Sequence, residues 1–229
     1  MVAVVLLQAL DAGKYMITVL VADDHAMVRT GIVRMLDDAD GITVIAQAAS
    51  GEEAISSCRI LSPDVVLMDV RMPGIGGLEA TRKLRLVSPS TRIIALSAYD
   101  QEPMPSRLLK AGASAYVTKG ASEEEMVLAV RQVAKGLRYL SPSVAQAIAL
   151  KGFSGDVESP FESLSEREMQ ISLMIANCQK VLDIAEQLHI SAKTVNSYRY
   201  RIFEKLDIGG DVELTLLAIR HGLIDSPGA

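Results

Sequence analysis

The 229-residue chain has only two cysteines, Cys58 and Cys178, far apart and without paired spacing. That excludes a thiolate metal motif and suits a reducing compartment without structural disulfides. Three histidines, His25, His189 and His221, are too scattered for a recognisable histidine metal motif. No apolar run reaches the roughly 20 residues that a membrane-spanning helix needs. The short apolar run at residues 2–7 has no basic start before it and no small-residue cleavage site after it, so a secretory leader is not expected. Charge of one sign is not in large excess either. With a net charge of −5, bulk charge argues for neither a membrane nor a nucleic acid, and any basic surface must be local. A cytoplasmic protein that does not engage membranes is the default, and 49% apolar content is ample for a core.

The N-terminal half alternates. Residues 1–15 read as a disordered extension. Residues 17–22 are apolar and β-rich and end on Asp23 and Asp24; a helix with Val28, Ile32, Val33, Met35 and Leu36 on one stripe follows. Residues 42–46 are a second strand, and Ser50 with Glu53 is a capping-box spacing that opens a helix to about residue 61. The uninterrupted apolar run 65–68 reads as the buried central strand of a parallel sheet; it ends on Asp69 and turns at Arg71-Met72-Pro73-Gly74. A helix over 77–87, a strand over 93–96 ending on Ser97, and a helix delayed by Pro103 and Pro105 and stopped at Gly112 come next. A strand over 115–118 ends on Lys119, and Ser122 with Glu125 boxes the start of a fifth helix.

Five strands alternating with five helices predict a doubly wound, five-stranded parallel sheet, an α/β fold. Parallel strands all end at one edge, where ligands of such sheets bind. Asp23, Asp24, Asp69, Ser97 and Lys119 therefore converge although about a hundred residues separate the first from the last. Three carboxylates together repel unless a cation joins them, and a hard divalent ion such as Mg²⁺ fits oxygen ligands. A lysine charge and a serine hydroxyl beside that ion are what an anionic group requires, so the crevice reads as a phosphoryl site.

Asp23-Asp24, Asp69, Ser97 and Lys119, with Met72-Pro73-Gly74 after the aspartate, resemble the CheY-like receiver domain of two-component response regulators. The resemblance implies that Asp69 accepts a phosphoryl group from a sensor histidine kinase. It implies Mg²⁺ held by Asp24, Asp69 and the Arg71 main-chain carbonyl, with Asp23 acting through water. Lys119 would pair with the phosphoryl oxygens, Ser97 would move toward them, and Tyr116 would turn inward as it does. Gly120 departs from the proline that often follows this lysine.

The C-terminal half has no β-rich run. Ser141-Pro142 opens a helix, and residues 152–160 read as a flexible joint. Ser165 and Glu168 form another capping box before a helix to about residue 176. A short helix over 181–188, a turn at Ile190-Ser191 and a helix over 192–206 suggest helix-turn-helix, whose second helix enters the DNA major groove. On that helix Val195, Tyr198, Ile202 and Leu206 make the buried stripe, while Lys193, Asn196, Ser197 and Tyr200 gather opposite. Lys193, Arg199, Arg201 and Lys205 against Glu204 give residues 193–205 a net +3, in a domain otherwise acidic.

Leu164-Ser165, Arg167-Glu168, Ile184-Ala185, Thr194-Val195 and Lys205-Leu206 are similar to the LuxR-type module of the NarL/FixJ family. By that resemblance Asn196, Ser197 and Tyr200 read bases, Lys193, Thr194 and Arg201 contact phosphates, and the active protein binds double-stranded DNA as a homodimer through the helix at 212–221. In related proteins the resting receiver covers the recognition helix. Asn196 replaces a common lysine, and Tyr198 a frequent histidine; Asn suits adenine. The expected organisation is an extension (1–15), a receiver (16–137), a linker with one helix (138–160) and a small all-α DNA-binding domain (161–229). A rival reading is a Mg²⁺-dependent phosphohydrolase that forms an aspartyl phosphate. Such enzymes need a second Asp two residues after the nucleophile, where this chain has Arg71. At most, slow self-dephosphorylation is expected.

Overall fold

A computed structural model describes residues 16–98, 103–151 and 159–224. The extension at 1–15 and most of the joint expected at 152–160 lie outside them. Six parallel strands run in the order β2-β1-β3-β4-β5-β6: β1 Ile17–Ala22, β2 Ile42–Ala48, β3 Val65–Asp69, β4 Arg92–Ser97, β5 Ala115–Thr118 and β6 Tyr139–Leu140. The helices between them are α1 Ala26–Asp37, α2 Gly51–Leu61, α3 Gly76–Val87, α4 Met104–Ala111 and α5 Glu123–Ala134.

Strand alternation divides the core. Val19, Val21, Leu67, Ile94 and Val117 pack with Ile32 and Leu36 of α1 and Met126 and Val130 of α5. Leu20, Ala22, Val66, Met68 and Ile93 face the other way, against Ala54 and Cys58 of α2 and Leu84 of α3. Every residue of β3 is buried, as its continuous apolar run requires of a strand covered on both faces.

The sheet has six strands, not five. The Tyr139 and Ser141 amides donate to the Ser114 and Tyr116 carbonyls (3.3 and 3.0 Å), closing what would otherwise be an open edge of β5. The expected box at Ser122 is made on one side: Ser122 Oγ accepts from the Glu125 amide at 3.3 Å. The Glu125 carboxylate is instead taken by Ser141 Oγ at 2.5 Å, and that hydroxyl also accepts from the Thr118 amide at 3.3 Å. Ser141 thus fastens the start of the linker to the end of β5.

α6 Pro142–Lys151 follows, and after a 3₁₀ turn at Pro160–Ser163 come α7 Glu166–Ala176, α8 Val181–Gln187, α9 Ala192–Leu206 and α10 Asp211–Arg220. Ser165 and Glu168 close both halves of the box on α7. A tight turn joins α8 to α9: His189 takes a left-handed conformation (φ 52°), the Ile190 amide donates to the Ala185 carbonyl at 3.0 Å, and Ser191 caps α9. The two halves share a core. Val70, Leu78, Ala95, Met104, Leu108 and Tyr116 of the α/β half form one buried cluster with Val144, Phe161, Met169 and Met174.

Candidate functional site

Asp23 follows β1, Asp69 ends β3, Ser97 ends β4 and Lys119 follows β5, so the parallel register brings them to one edge. Lys119 Nζ lies 2.7 Å from Asp69 Oδ2 and 2.8 Å from Asp23 Oδ2, bridging two buried carboxylates. Burial pushes the Asp69 carboxyl up to about 6; Lys119 pulls it back, Asp23 adds to the rise, and the Arg71 amide, donating to Asp69 Oδ1 at 3.1 Å, opposes it. Burial alone would lower Lys119, but the charges of Asp69 and Asp23 and the bonds to them carry it above its ordinary value.

The Asp69 backbone is equally confined. A Cβ on Gly77 would lie 2.1 Å from the Asp69 carbonyl oxygen, so only glycine lets α3 start this close to the end of β3. The Gly77 amide donates to the Val70 carbonyl at 3.1 Å, and Glu52 Oε1 accepts from the Ile75 amide at 3.1 Å, holding the intervening loop.

Ligand atoms of Asp23, Asp24, His25 and Asp69 all lie within 4.8 Å of one another. This hard, carboxylate-rich donor set fits Mg²⁺, which retains several waters and takes few protein ligands. Asp24 and His25 are exposed at the mouth, with His25 Nδ1 3.0 Å from Asp24 Oδ1, and Arg71 is half-buried beside them. Ser97 is buried, and its carbonyl accepts from the Lys119 amide at 2.7 Å. Tyr116 is fully buried, in register with Ala95 on the neighbouring strand.

On α9, Val195, Ile202 and Leu206 are buried and Tyr198 is half-buried with the Arg201 guanidinium 4.5 Å above its ring. Lys193, Ser197, Tyr200 and Arg201 are exposed, Tyr200 at 74%. Asn196 and Thr194 are intermediate, and the Thr194 amide and hydroxyl both engage Ser191 Oγ. The net +3 of residues 193–205 overstates the free charge. Arg199 pairs with Asp211 (Nε to Oδ1 2.6 Å), and Lys205 pairs with Glu168 at 2.7 Å. Lys193 and Arg201 are left as the basic groups presented by this face. The receiver leaves Lys193, Ser197, Tyr200 and Arg201 of this helix exposed; bonds from it run instead to the 3₁₀ turn, α7, the α7–α8 turn and the chain past α10.

Three features escape sequence reasoning. His25 adjoins the acidic pair and caps α1 without side-chain bonding, a local signal that its neighbours' carboxylates overshadow. Gln179 donates to the Gly74 carbonyl at 3.3 Å, and the Arg71 guanidinium donates to the Gly222 carbonyl, 151 positions away. No local pattern announces contacts of that range.

Comparison with known proteins matches residues 19–131 to the response regulator receiver domain and residues 162–218 to the bacterial regulatory proteins of the luxR family. Response regulator GacA of Pseudomonas viridiflava is 60% identical over 92% of this chain and 99% of its own length. Response regulator UvrY of Escherichia coli K12 is 54% identical over 92% of this chain and 97% of its own. Among solved structures, the response regulator ChrA of a heme-sensing two-component system is 31% identical, covers 92% of this chain and all of its own, and has a TM-score of 0.53. RcsB of Salmonella enterica serovar Typhimurium, bound to promoter DNA with a beryllofluoride phosphomimetic, shares the fold at TM-score 0.69 and 24% identity over 88% of this chain and 98% of its own.

Proposed function

This chain belongs to the response regulators that join a receiver domain to a LuxR-type DNA-binding domain, and from that premise we propose that it activates transcription once Asp69 is phosphorylated by a sensor histidine kinase. The observation that carries the proposal is the bridge of Lys119 between two buried carboxylates at the strand ends, next to a cluster of hard oxygen donors. The family is one of transcription regulators, and the phosphohydrolase reading is set aside with it.

An Asp69 carboxylate oxygen attacks phosphorus in line while the P–N bond to the donor imidazole breaks and the departing nitrogen takes up a proton. With its carboxyl raised to about 6, Asp69 is ionised at neutral pH and a stronger base than an exposed carboxylate. Asp24, Asp69 and the Arg71 carbonyl, with Asp23 through water, would hold Mg²⁺, which when bound would supply positive charge to the phosphoryl oxygens. Lys119, already within 2.7 Å of Asp69, supplies a second positive charge, and the Ser97 hydroxyl donates to the new ester's oxygens.

Formation of the acyl phosphate replaces a single carboxylate charge by a group of about −1.5 to −2 at neutral pH. Ser97 and Tyr116 respond on adjacent strands, and β5 carries the change to β6 through Ser141, shifting a two-state equilibrium of the last helices. α10 leaves Val212 (74%) and Leu216 (57%) exposed, an apolar strip suited to a second copy. The dimer sets two copies of α9 on inverted half-sites about one helical turn apart, Asn196, Ser197 and Tyr200 toward bases and Lys193, Thr194 and Arg201 toward phosphates. The resemblance to GacA and UvrY implies further a hybrid kinase of the GacS/BarA type as donor and small regulatory RNA genes as targets. No helix among the described residues is long and apolar enough to cross a membrane; the proposed place of work, the cytoplasm, follows from the proposed binding to DNA.

The test is phosphate incorporation from phosphoramidate with Mg²⁺. Wild type is labelled and Asp69→Asn is not; labelling of the variant would refute the assignment.

A further inference from the structure

The space beside the proposed phosphoacceptor cluster is bounded by both domains. A cavity of about 320 Å³ beside the acidic cluster is lined by Asp24, His25, Arg71 and Pro73 on one side and by Asn177, Gln179 and Ile224 on the other. Two bonds tie the sides together: the Arg71 guanidinium to the Gly222 carbonyl past the end of α10, and the Gln179 amide to the Gly74 carbonyl. Further along the seam the Arg82 guanidinium pairs with Glu166 of α7.

A phosphodonor must place its phosphorus about 3 to 3.5 Å from the Asp69 oxygen in line with the leaving group. A small donor fits a cavity of this size. A histidine carried on a helical protein domain does not, because such a partner needs roughly 800 Å² of receiver surface, and the loops it would lie on are shared with the α7–α8 turn and the chain past α10. We infer that the DNA-binding domain is a roof over the phosphoacceptor pocket that admits small phosphodonors and excludes a phosphohistidine domain until the domains part. Gln179 and Glu166 act in it as specificity-determining residues for the donor.

The seam is built to open. Gln179 Oε1 and Gln170 Nε2 are buried beside the seam with no protein hydrogen-bond partner, so the closed form leaves two polar atoms without a protein bond. A second cavity, lined by Met72, Gly74 and Leu78 on the receiver side and by Gln170, Met174 and Leu223 on the other, lies within the same interface. The roof rests on the reading of Asp69 as phosphoacceptor, but it makes a separate claim about which donors reach it.

The experiment uses the full chain with two donors, phosphoramidate and a purified phosphorylated histidine phosphotransfer domain. The double variant Gln179→Ala, Glu166→Ala removes two cross-seam bonds and leaves the receiver untouched. If domain opening limits the large donor, its rate follows the open fraction and rises at least about threefold, while the phosphoramidate rate stays within about twofold. Equal changes with both donors, or no change with the protein donor, overturn the roof. Should the double variant lose structure, Gln179→Glu, which sets a carboxylate against the Gly74 carbonyl, repeats the test. Wild type that takes phosphate from neither donor refutes the Asp69 reading, and the roof with it; labelling by both without a variant effect refutes the roof alone.

Discussion

As the proposed phosphoacceptor Asp69 must be ionised to attack phosphorus, yet burial and the Asp23 charge work against ionisation, and Lys119 and the Arg71 amide oppose them. Its folded value of about 6 lies above that of an unfolded carboxylate, so the native state holds the proton more tightly. Stability from this group is complete at and below about pH 4, falls as pH rises, and above about pH 6 the ionised side chain costs about 3 kcal/mol. Asp69→Asn should therefore stabilise the receiver against urea by about 1–3 kcal/mol at pH 7.5, with the gap closing toward pH 4. An equal midpoint at both pH values would show that the charge is not strained. Mg²⁺ at ten times its dissociation constant should add about 1.4 kcal/mol to wild type, an increment lost in Asp24→Ala. Gly77→Ala should cost several kcal/mol in the same assay, of order 3 or more, because the added carbon meets the Asp69 carbonyl rather than a mobile side chain.

The elements were legible wherever one local rule decided them. The unbroken run of β3, the apolar, β-rich run of β1, and the capping residues Ser50 and Ser165 each mark an element that the structure contains. β6 was not legible: two residues show no period, and only the vacant edge of β5 makes them a strand. Glu125 had the spacing of a capping box, but Ser141, brought alongside by β6, takes its carboxylate. On α9 the basic residues could be counted from sequence, but not their partners, because Asp211 and Glu168 come from other helices. This divides the predictions for α9. Lys193→Ala should weaken binding to every DNA sequence and reduce the salt slope by about 1. Tyr200→Ala should relax sequence preference instead, read by competition with variant duplexes. Arg199→Ala should lower the melting temperature of the domain while leaving the salt slope unchanged, because its charge is spent on Asp211; a reduced slope would place Arg199 on DNA.

At the scale of the molecule, the exposed face of α9 changes what phosphorylation has to accomplish. Of the residues proposed to read bases, Ser197 and Tyr200 are already exposed and Asn196 is half-buried, so in the proposed mechanism the switch would act on how two copies are arranged rather than on uncovering one. The seam joins the Asp69 loop through Arg71 to Gly222, just past α10, the helix whose exposed apolar strip is the proposed dimer surface, so receiver and strip are mechanically linked. None of this coupling was visible in the sequence, since its partners lie more than a hundred positions apart. The most direct test is DNA footprinting with the full chain, with and without phosphoramidate and Mg²⁺, beside Asp69→Asn. Phosphorylated wild type should protect two inverted half-sites centred about 10 base pairs apart at a protein concentration lower by about tenfold or more, and the variant should not respond. A wild-type footprint that stays the same while Asp69 carries phosphate, or a variant that responds equally, would contradict the account.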